Sequence, residues 1–285
     1  MSRAQVITIF SHNRTDDVAG PLRRVLELAR ESATQVRLPP AEVEKHGVPA
    51  QDGVLAGAEP DGDTDLALVL GGDGTILSTL RRFAGRGVPV FAVNFGAIGF
   101  LATVEPWELD DGVRRALAGD FDVLPLPALS ADTEEGKALA VNDMSFHRRH
   151  NGRVAEIAYS VEAEELGKVR CDGLVVSTPA GSTGYNLANG GPVLAWGVEG
   201  YVVSFIAPHT LTARSLVVAP GDALEVSNRS ADEALDMTTD GRPAPSLGPD
   251  AKIRIRFEDA RTLLAQTPGA TFYHRLRDKF GRLAY

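Results

Sequence analysis

Residues 71–75 read Gly-Gly-Asp-Gly-Thr, and no other stretch of the sequence is as well suited to chemistry. Glycine at 71, 72 and 74 removes the Cβ atoms that would hold a ligand off the backbone, and it permits positive φ where a tight turn demands it. The apolar run Leu66-Ala67-Leu68-Val69-Leu70 that precedes them has the pattern of a buried parallel strand. Ile76, Leu77 and Leu80 then recur at helical spacing. The glycines therefore fall on a strand-to-helix turn. The first amides of a helix lack intrahelical partners and carry partial positive charge, so phosphate is the natural ligand of such a turn. Asp73 does not suit a plain phosphate cradle, because a carboxylate repels the anion unless it binds a metal or takes a proton. On these residues alone two readings stay open. Either Asp73 takes part in chemistry, or it caps the helix while the glycines shape the turn.

A sheet must hold that turn, and the flanking sequence supplies its strands. Residues 5–10 form a short apolar strand, followed by a helix over about 17–31. Val18, Leu22, Val25, Leu26 and Ala29 share one face of that helix, with Pro21 in the first turn. Residues 36–38 make a second strand, Pro39-Pro40 breaks it, and 41–46 form a short helix. The stretch 47–65 is rich in Gly, Asp, Pro and Ala and reads as a mobile loop beside the glycine turn. Residues 88–93 are another buried strand. Asn94, Gly96 and Gly99 then repeat the theme of glycines at a strand's carboxyl end, where open α/β sheets bind ligands. An amphipathic helix over 106–117, with Trp107, Leu109, Val113 and Leu117 inward, closes the first domain. His12 and Arg14 read as ordinary loop residues.

Near Phe121 the pattern changes to short strand-like segments separated by Gly, Asn and Asp turns: 121–131, 139–147, 154–161 and 174–177. It continues at 201–207, 216–219, 223–228, 234–239, 252–257 and 262–264, and ends in a helical pattern over 271–280. The predicted fold is thus α/β plus all-β: a Rossmann-like α/β domain over 1–120 and a layered β-sandwich domain over 121–265. A helical tail over 266–285 returns to the first domain.

A chain of 285 residues can bury a sizeable core in two such domains. No apolar run approaches the roughly 20 residues of a membrane span, and the 6–10 run is too short for a signal peptide. Cys171, the single cysteine, excludes an intrachain disulfide and a cysteine-cluster metal site, and a cytoplasmic location is the default. A formal charge of −9 argues against a nucleic-acid binder. The basic cluster His147-Arg148-Arg149-His150 reads as decoration of a hairpin loop. An acidic enzyme of anionic substrates is then expected to use a metal.

Several separated segments resemble the NAD kinase family, in that family's order. They are the 71–75 pentapeptide, Asn94-Phe95-Gly96-Ala97-Ile98-Gly99-Phe100-Leu101, and Asn142-Asp143. Asp172-Gly173-Leu174 follows, leading through Thr178-Pro179-Ala180-Gly181-Ser182-Thr183-Gly184-Tyr185 to Gly190-Gly191-Pro192. Pro208-His209-Thr210-Leu211 and Asp240-Gly241 complete the set. The resemblance covers about 6–257 and implies transfer of the γ-phosphoryl group of ATP to the 2′-hydroxyl of the adenosine ribose of NAD. Asp73 would orient and deprotonate that hydroxyl, with proton transfer late because a carboxylate is a far weaker base than an alkoxide.

The resemblance further implies that Gly71, Gly72, Gly74 and Thr75 hold phosphates. Asn94, Gly96, Phe100, Asn142, Asp143, Asp172, Thr183, Gly184 and Tyr185 would hold NAD. Mg²⁺ or another divalent cation would offset charge, and no protein ligand is assigned to it. A homodimer or homotetramer through the β domain is also implied. The family's usual Asn-Glu is Asn142-Asp143 here, which shortens the acidic reach by a methylene, and Ala180, Gly184, Asn186 and Ala188 depart from its usual loop. His209 is assigned no catalytic role, and Asp240-Gly241 is first a turn. Gly-x-x-x-x-Gly-Lys-Ser/Thr is absent, which excludes a standard P-loop. Two rivals remain: a catalytically weak NAD or NADP sensor, and a lipid kinase of the diacylglycerol or sphingosine type. The lipid kinases share a Gly-Gly-Asp-Gly turn, but no amphipathic membrane-binding segment is evident. The donor, ATP or polyphosphate, and the acceptor, NAD or NADH, stay open.

Overall fold

The structure is a computed structural model that describes residues 2–59, 63–97, 99–149 and 153–281; Ile98 of the second glycine segment and His150 of the basic cluster lie outside them. The chain divides into two compact units, Met1–Pro125 with Thr262–Tyr285, and Leu126–Arg261.

The first unit opens with β1 (Val6–Ser11), α1 (Thr15–Glu31), β2 (Gln35–Leu38), α2 (Pro40–His46) and β3 (Val54–Ala56). It continues with β4 (Leu66–Gly71), α3 (Asp73–Arg82), β5 (Pro89–Asn94) and α4 (Leu109–Ala118). Its strands pair in parallel in the order β5-β4-β1-β2-β3. β4 and β5 are buried at every position, as strands covered on both faces should be. Because β1 turns to β2 on one side and neighbours β4 on the other, the carboxyl ends of β1 and β4 flank the point where strand order reverses.

Three local expectations change. α1 begins at Thr15, so Pro21 sits inside the helix rather than in its first turn. The carbonyl four residues back, which loses its amide partner, belongs to exposed Asp17. The 47–65 stretch carries β3, and Asp65 near its end accepts the amides of Gln5 and Val6 at 2.8 and 2.9 Å. Those amides lie at the amino end of β1, so the segment ends at the amino ends of the strands, whereas the glycine turn leaves the carboxyl end of β4. Trp107 does not point inward; it lies in a 3-10 turn, Pro106–Glu108, and is 81% exposed. The tighter 3-10 rotation takes position 107 off the face that Val113 and Leu117 bury.

The second unit holds β6 (Asp122–Thr133, entered from the first unit), β7 (Gly136–Ala140), β8 (Asp143–Arg148), β9 (Ala155–Val161), β10 (Glu164–Cys171) and β11 (Gly173–Ser177). After a 3-10 turn (Gly181–Thr183) come α5 (Tyr185–Ala188), β12 (Tyr201–Ile206), β13 (Leu216–Val218) and β14 (Leu224–Asn228). β15 (Leu235–Thr239), β16 (Arg242–Leu247) and β17 (Lys252–Gln266) complete the series. The order β13-β12-β11-β8-β15-β16 forms one antiparallel sheet; β10-β9-β14 with the start of β17 forms the facing layer. One apolar core, with Met144, Phe146, Leu174, Tyr201, Val226 and Ile255, lies between the layers.

β10 and β16 were not expected. The run expected over 139–147 is interrupted at Val141-Asn142, and the two segments expected at 252–257 and 262–264 are one strand. The last residues of β17 belong to the first unit, where Leu263 and Leu264 pair in parallel with Pro89 and Val90 of β5. There α6 (Phe272–Phe280) follows, capped by the Thr271 hydroxyl, which accepts from the His274 amide at 3.2 Å.

Candidate active site

In the first unit, the glycine turn leaves β4 beside the end of β5, with Gly71 opposite Asn94 in the register. Gly71, Gly72 and Gly74 do not adopt positive φ, so conformational licence is not their role. Close approach is. A Cβ on Gly72 would lie 2.9 Å from the Gly96 Cα, and one on Gly96 would lie 2.7 Å from the Gly72 Cα. The two glycine loops touch backbone to backbone. Gly99 does need the left-handed region, with φ +64°, and a Cβ there would lie 2.1 Å from Asn94 Nδ2.

Asp73 is the first residue of α3, and its side chain makes no cap. Its Oδ2 instead accepts the Phe100 amide and its Oδ1 the Leu101 amide, both at 3.0 Å. The capping reading of Asp73 therefore fails: the carboxylate is fixed across to the second glycine loop. Asn94 holds the same loop from within, its Oδ1 accepting from the Gly96 amide at 3.0 Å and its Nδ2 donating to Glu105 at 3.1 Å. Phe100 lends its amide to Asp73 and its ring to packing against Phe272 and Phe280 of α6. Gly74 is exposed at the mouth of the helix, while Thr75 and Gly96 are half-buried.

In the second unit the strands break at Val141-Asn142, just before Asp143 opens β8, and another carboxylate claims the backbone there. Asp240, held at φ +47°, accepts the amides of Val141, Asn142 and Asp143 at 3.0, 2.7 and 3.2 Å. Asn142 Oδ1 is buried with no hydrogen-bond partner in the protein. Asp143 is buried, and its carboxyl is pushed up to about 7, first by burial and then by the charge of Asp240. The loop that follows β11 closes on this pair. Thr178 Oγ1 donates to the Val141 carbonyl at 2.6 Å, and a Cβ on Gly181 would lie 2.1 Å from the Asn142 carbonyl oxygen.

Thr183 is half-buried, and its hydroxyl donates to the Ala180 carbonyl at 3.3 Å. Gly184 and Tyr185 are exposed. Asn186 is fully buried, donating to the Ser182 and Pro192 carbonyls at 3.0 and 2.9 Å, so this departure from the family's loop is a structural tie. Asp172 receives the Arg148 guanidinium at 2.6 Å.

Two residues outside the expected set belong to this cluster. The His147 ring stacks on Tyr185 with centroids 5.6 Å apart and 15° between planes, and Nε2 shares a 2.8 Å hydrogen bond with Ser145 Oγ. Burial pushes the imidazole pKa down and the Tyr185 phenol up. The basic cluster thus does more than decorate a hairpin: His147 backs the loop through Tyr185, and Arg148 pairs with Asp172. A histidine near the end of a strand carries no signal that it meets a tyrosine far along the chain. His209 is exposed, held by its amide to the Arg170 carbonyl at 2.7 Å.

Among the described residues, no group of three or more His, Cys, Asp or Glu side chains could hold a metal ion. The first unit thus presents a fixed carboxylate at a helix N-terminus between two glycine loops. The second presents a polar pair, Asn142 with its buried Oδ1 and buried Asp143, and a stacked aromatic pair, His147 and Tyr185.

Comparison with known proteins settles what such parts belong to. Residues 25–121 match the ATP-NAD kinase N-terminal domain and residues 141–266 the ATP-NAD kinase C-terminal domain. The chain belongs to the NAD kinase family. As a member of that family it is an enzyme, a phosphotransferase acting on NAD. The NAD kinase of Gemmatimonas aurantiaca is 38% identical over 229 residues, covering 78% of each chain. That of Carboxydothermus hydrogenoformans is 32% identical over 274 residues, covering 93% of this chain and 96% of its own. A crystal structure of an NAD kinase from Archaeoglobus fulgidus in complex with ATP superposes with a TM-score of 0.73 at 26% identity, covering 97% of both chains. Yeast NADH kinase complexed with NADH shares the fold, with a TM-score of 0.88 at 21% identity, covering 99% of this chain and 89% of that one.

Proposed function

We propose that this chain transfers the γ-phosphoryl group of ATP to the 2′-hydroxyl of the adenosine ribose of NAD, with Asp73 as the group that orients that hydroxyl and takes its proton late in the transfer. The observation that carries the reading is the grip of two backbone amides on the Asp73 carboxylate. Both oxygens keep a lone pair for a hydroxyl donor while the amides fix their direction. Phosphoryl transfer depends mostly on positioning and charge neutralisation, so a carboxylate of fixed direction is what the acceptor hydroxyl needs.

The amino end of α3 is the site's fixed positive element, and the bare backbones of Gly71, Gly72 and Gly96 let phosphate oxygens approach it. In the second unit, Asn142 and Asp143 are the groups for the ribose hydroxyls. The buried, unpartnered Asn142 oxygen suits a hydroxyl or amide donor from the dinucleotide. Asp172, Thr183 and the backbone at Gly184 complete the polar lining, and Tyr185, backed by His147, offers a face to an aromatic ring.

Mg²⁺ fits this donor set as an ion brought by the nucleotide. Both Asp73 oxygens already accept amides and, among the described residues, no metal-binding cluster is found, so phosphate oxygens and water would be its ligands. Bound there, it would neutralise phosphate charge.

Assembly as a homodimer or homotetramer through the second unit is part of the same reading. Exposed Leu166 and Val217 on the edge strands β10 and β13 favour it, and light scattering of the purified protein tests it. No helix among the described residues is long and apolar enough to cross a membrane, and a cytoplasmic enzyme is the reading adopted.

The test is NADP formation from NAD, ATP and Mg²⁺ by the purified protein, beside Asp73→Asn and beside polyphosphate in place of ATP. Turnover lost in the variant with NAD affinity nearly unchanged is expected. Near-normal turnover of Asp73→Asn would sink the assignment of Asp73.

A further inference from the structure

Arg275 of α6 is 6% exposed, and its Nη1 donates to the carbonyls of Phe100 and Leu101 at 2.6 and 2.9 Å. The amides of those same two residues hold the Asp73 carboxylate. One peptide group therefore carries both contacts, since the Phe100 carbonyl and the Leu101 amide are its two ends. A cation on the carbonyl draws electron density toward oxygen and makes the amide at the other end a stronger donor. Guanidinium, peptide and carboxylate form a single hydrogen-bonded line. Burial pushes the guanidinium pKa down to about 10, and attraction to Asp73 acts against that push.

α6 is also held by contacts that do not involve this charge. The Phe100 ring meets Phe272 and Phe280 at 6.0 and 5.8 Å, and Lys279 donates to Glu105 at 3.0 Å, the carboxylate that in turn accepts from Asn94. A buried cation is costly where an apolar side chain would pack as well, so the charge at 275 calls for a role beyond packing.

We infer that Arg275 is a positioning residue for phosphoryl transfer, setting the Asp73 carboxylate through the Phe100–Leu101 peptide. This inference rests on the role proposed above for Asp73. It makes the helix at the carboxyl end of the chain part of the catalytic arrangement, without contact to substrate.

The experiment compares the full-length protein with Arg275→Met, Arg275→Lys, Asp73→Asn and the double variant Asp73→Asn with Arg275→Met, measuring kcat and both KM values. Arg275→Met is expected to lower kcat by roughly 10- to 100-fold, the scale of a misplaced catalytic group, with KM for NAD and ATP within about threefold. Arg275→Lys should recover a large part of that loss, because an ammonium can donate to the same carbonyls. On the Asp73→Asn background the Met substitution should cost little more, since both act along one line. Unchanged kcat in Arg275→Met, a loss confined to KM, or full additivity with Asp73→Asn would each overturn the inference. If Arg275→Met does not fold, Arg275→Gln decides: loss of the charge should lower kcat several-fold at constant KM, and an unchanged kcat would overturn the inference. A dead Asp73→Asn beside a normal Arg275→Met would sink only this inference, whereas an active Asp73→Asn would sink the reading on which it rests.

Discussion

Replacing Asp143 with Asn probes the electrostatics of the buried carboxyl proposed above to meet the dinucleotide. The side chain is 8% exposed, and its carboxyl is pushed up to about 7 by burial and by Asp240. An aspartate in an unfolded chain titrates near ~3.9, so the folded value lies about three pH units higher, each unit being worth about 1.4 kcal/mol. Because the folded value is the higher one, this contribution to stability is whole below about pH 4 and is lost as the pH rises through about 7. The linkage relation makes the loss about 2 kcal/mol at about pH 5.5 and about 4 kcal/mol at about pH 8, a difference of about 2 kcal/mol between them.

An amide cannot ionise, so Asp143→Asn removes that dependence while keeping the shape. Urea unfolding of both proteins at the two pH values, without nucleotides, is the assay. The stability of the unsubstituted protein should fall relative to the variant by about 2 kcal/mol on going to the higher pH. Profiles parallel to within about 0.5 kcal/mol would refute the burial argument. The same proton bears on NAD. On the contact proposed above, a ribose hydroxyl donating to Asp143 would favour the ionised form, so affinity should rise with pH through about 7, and the variant should flatten that rise.

Three further outcomes are expected. Gly181→Ala places a methyl 2.1 Å from the Asn142 carbonyl oxygen; the loop must shift, raising KM for NAD and costing about 1–3 kcal/mol, as thermal unfolding and kinetics would show. Gly72→Ala puts a methyl 2.9 Å from the Gly96 Cα and parts the two glycine loops. A displacement of that kind should lower kcat by roughly tenfold or more in steady-state assays, and normal turnover would remove the close-approach role. His46 is buried against Glu42 and Ser11, and burial pushes its pKa down. Its charged form is disfavoured in the fold, so stability is held above the unfolded value of about 6.5 and lost as pH falls below it, by at most about 1.4 kcal/mol per pH unit. Unfolding followed from about pH 7 to 5 should show His46→Gln with a flatter acid limb.

The sequence by itself determined the elements whose signal is local. β4 and β5 are continuous apolar runs because both faces are covered, and α1 buries the stripe its spacing predicts, while α4 buries Val113 and Leu117 of its expected stripe. The glycine loops were legible too, since a missing Cβ is visible without a fold. Two strands were not legible, for a reason that belongs to sheet edges. β10 is Glu-, Lys- and Arg-rich and β16 contains two prolines, Pro243 and Pro245. Edge strands tolerate both features because one row of their backbone groups needs no partner.

Only the tertiary structure decided what the polar residues do. Asp240 takes three amides from residues nearly a hundred positions earlier, at the Val141-Asn142 break between the two strands that replace the single expected one. Asp143 reads as an ordinary aspartate until burial beside Asp240 raises its pKa. Arg275 reads as one more cation on an amphipathic helix, and nothing near it in sequence announces Phe100 or Asp73. Periodicity and glycine content are properties of neighbouring residues, so a sequence displays them. Charge, burial and hydrogen-bond partnership depend on distant residues being brought within about 3 Å, and only the folded chain does that.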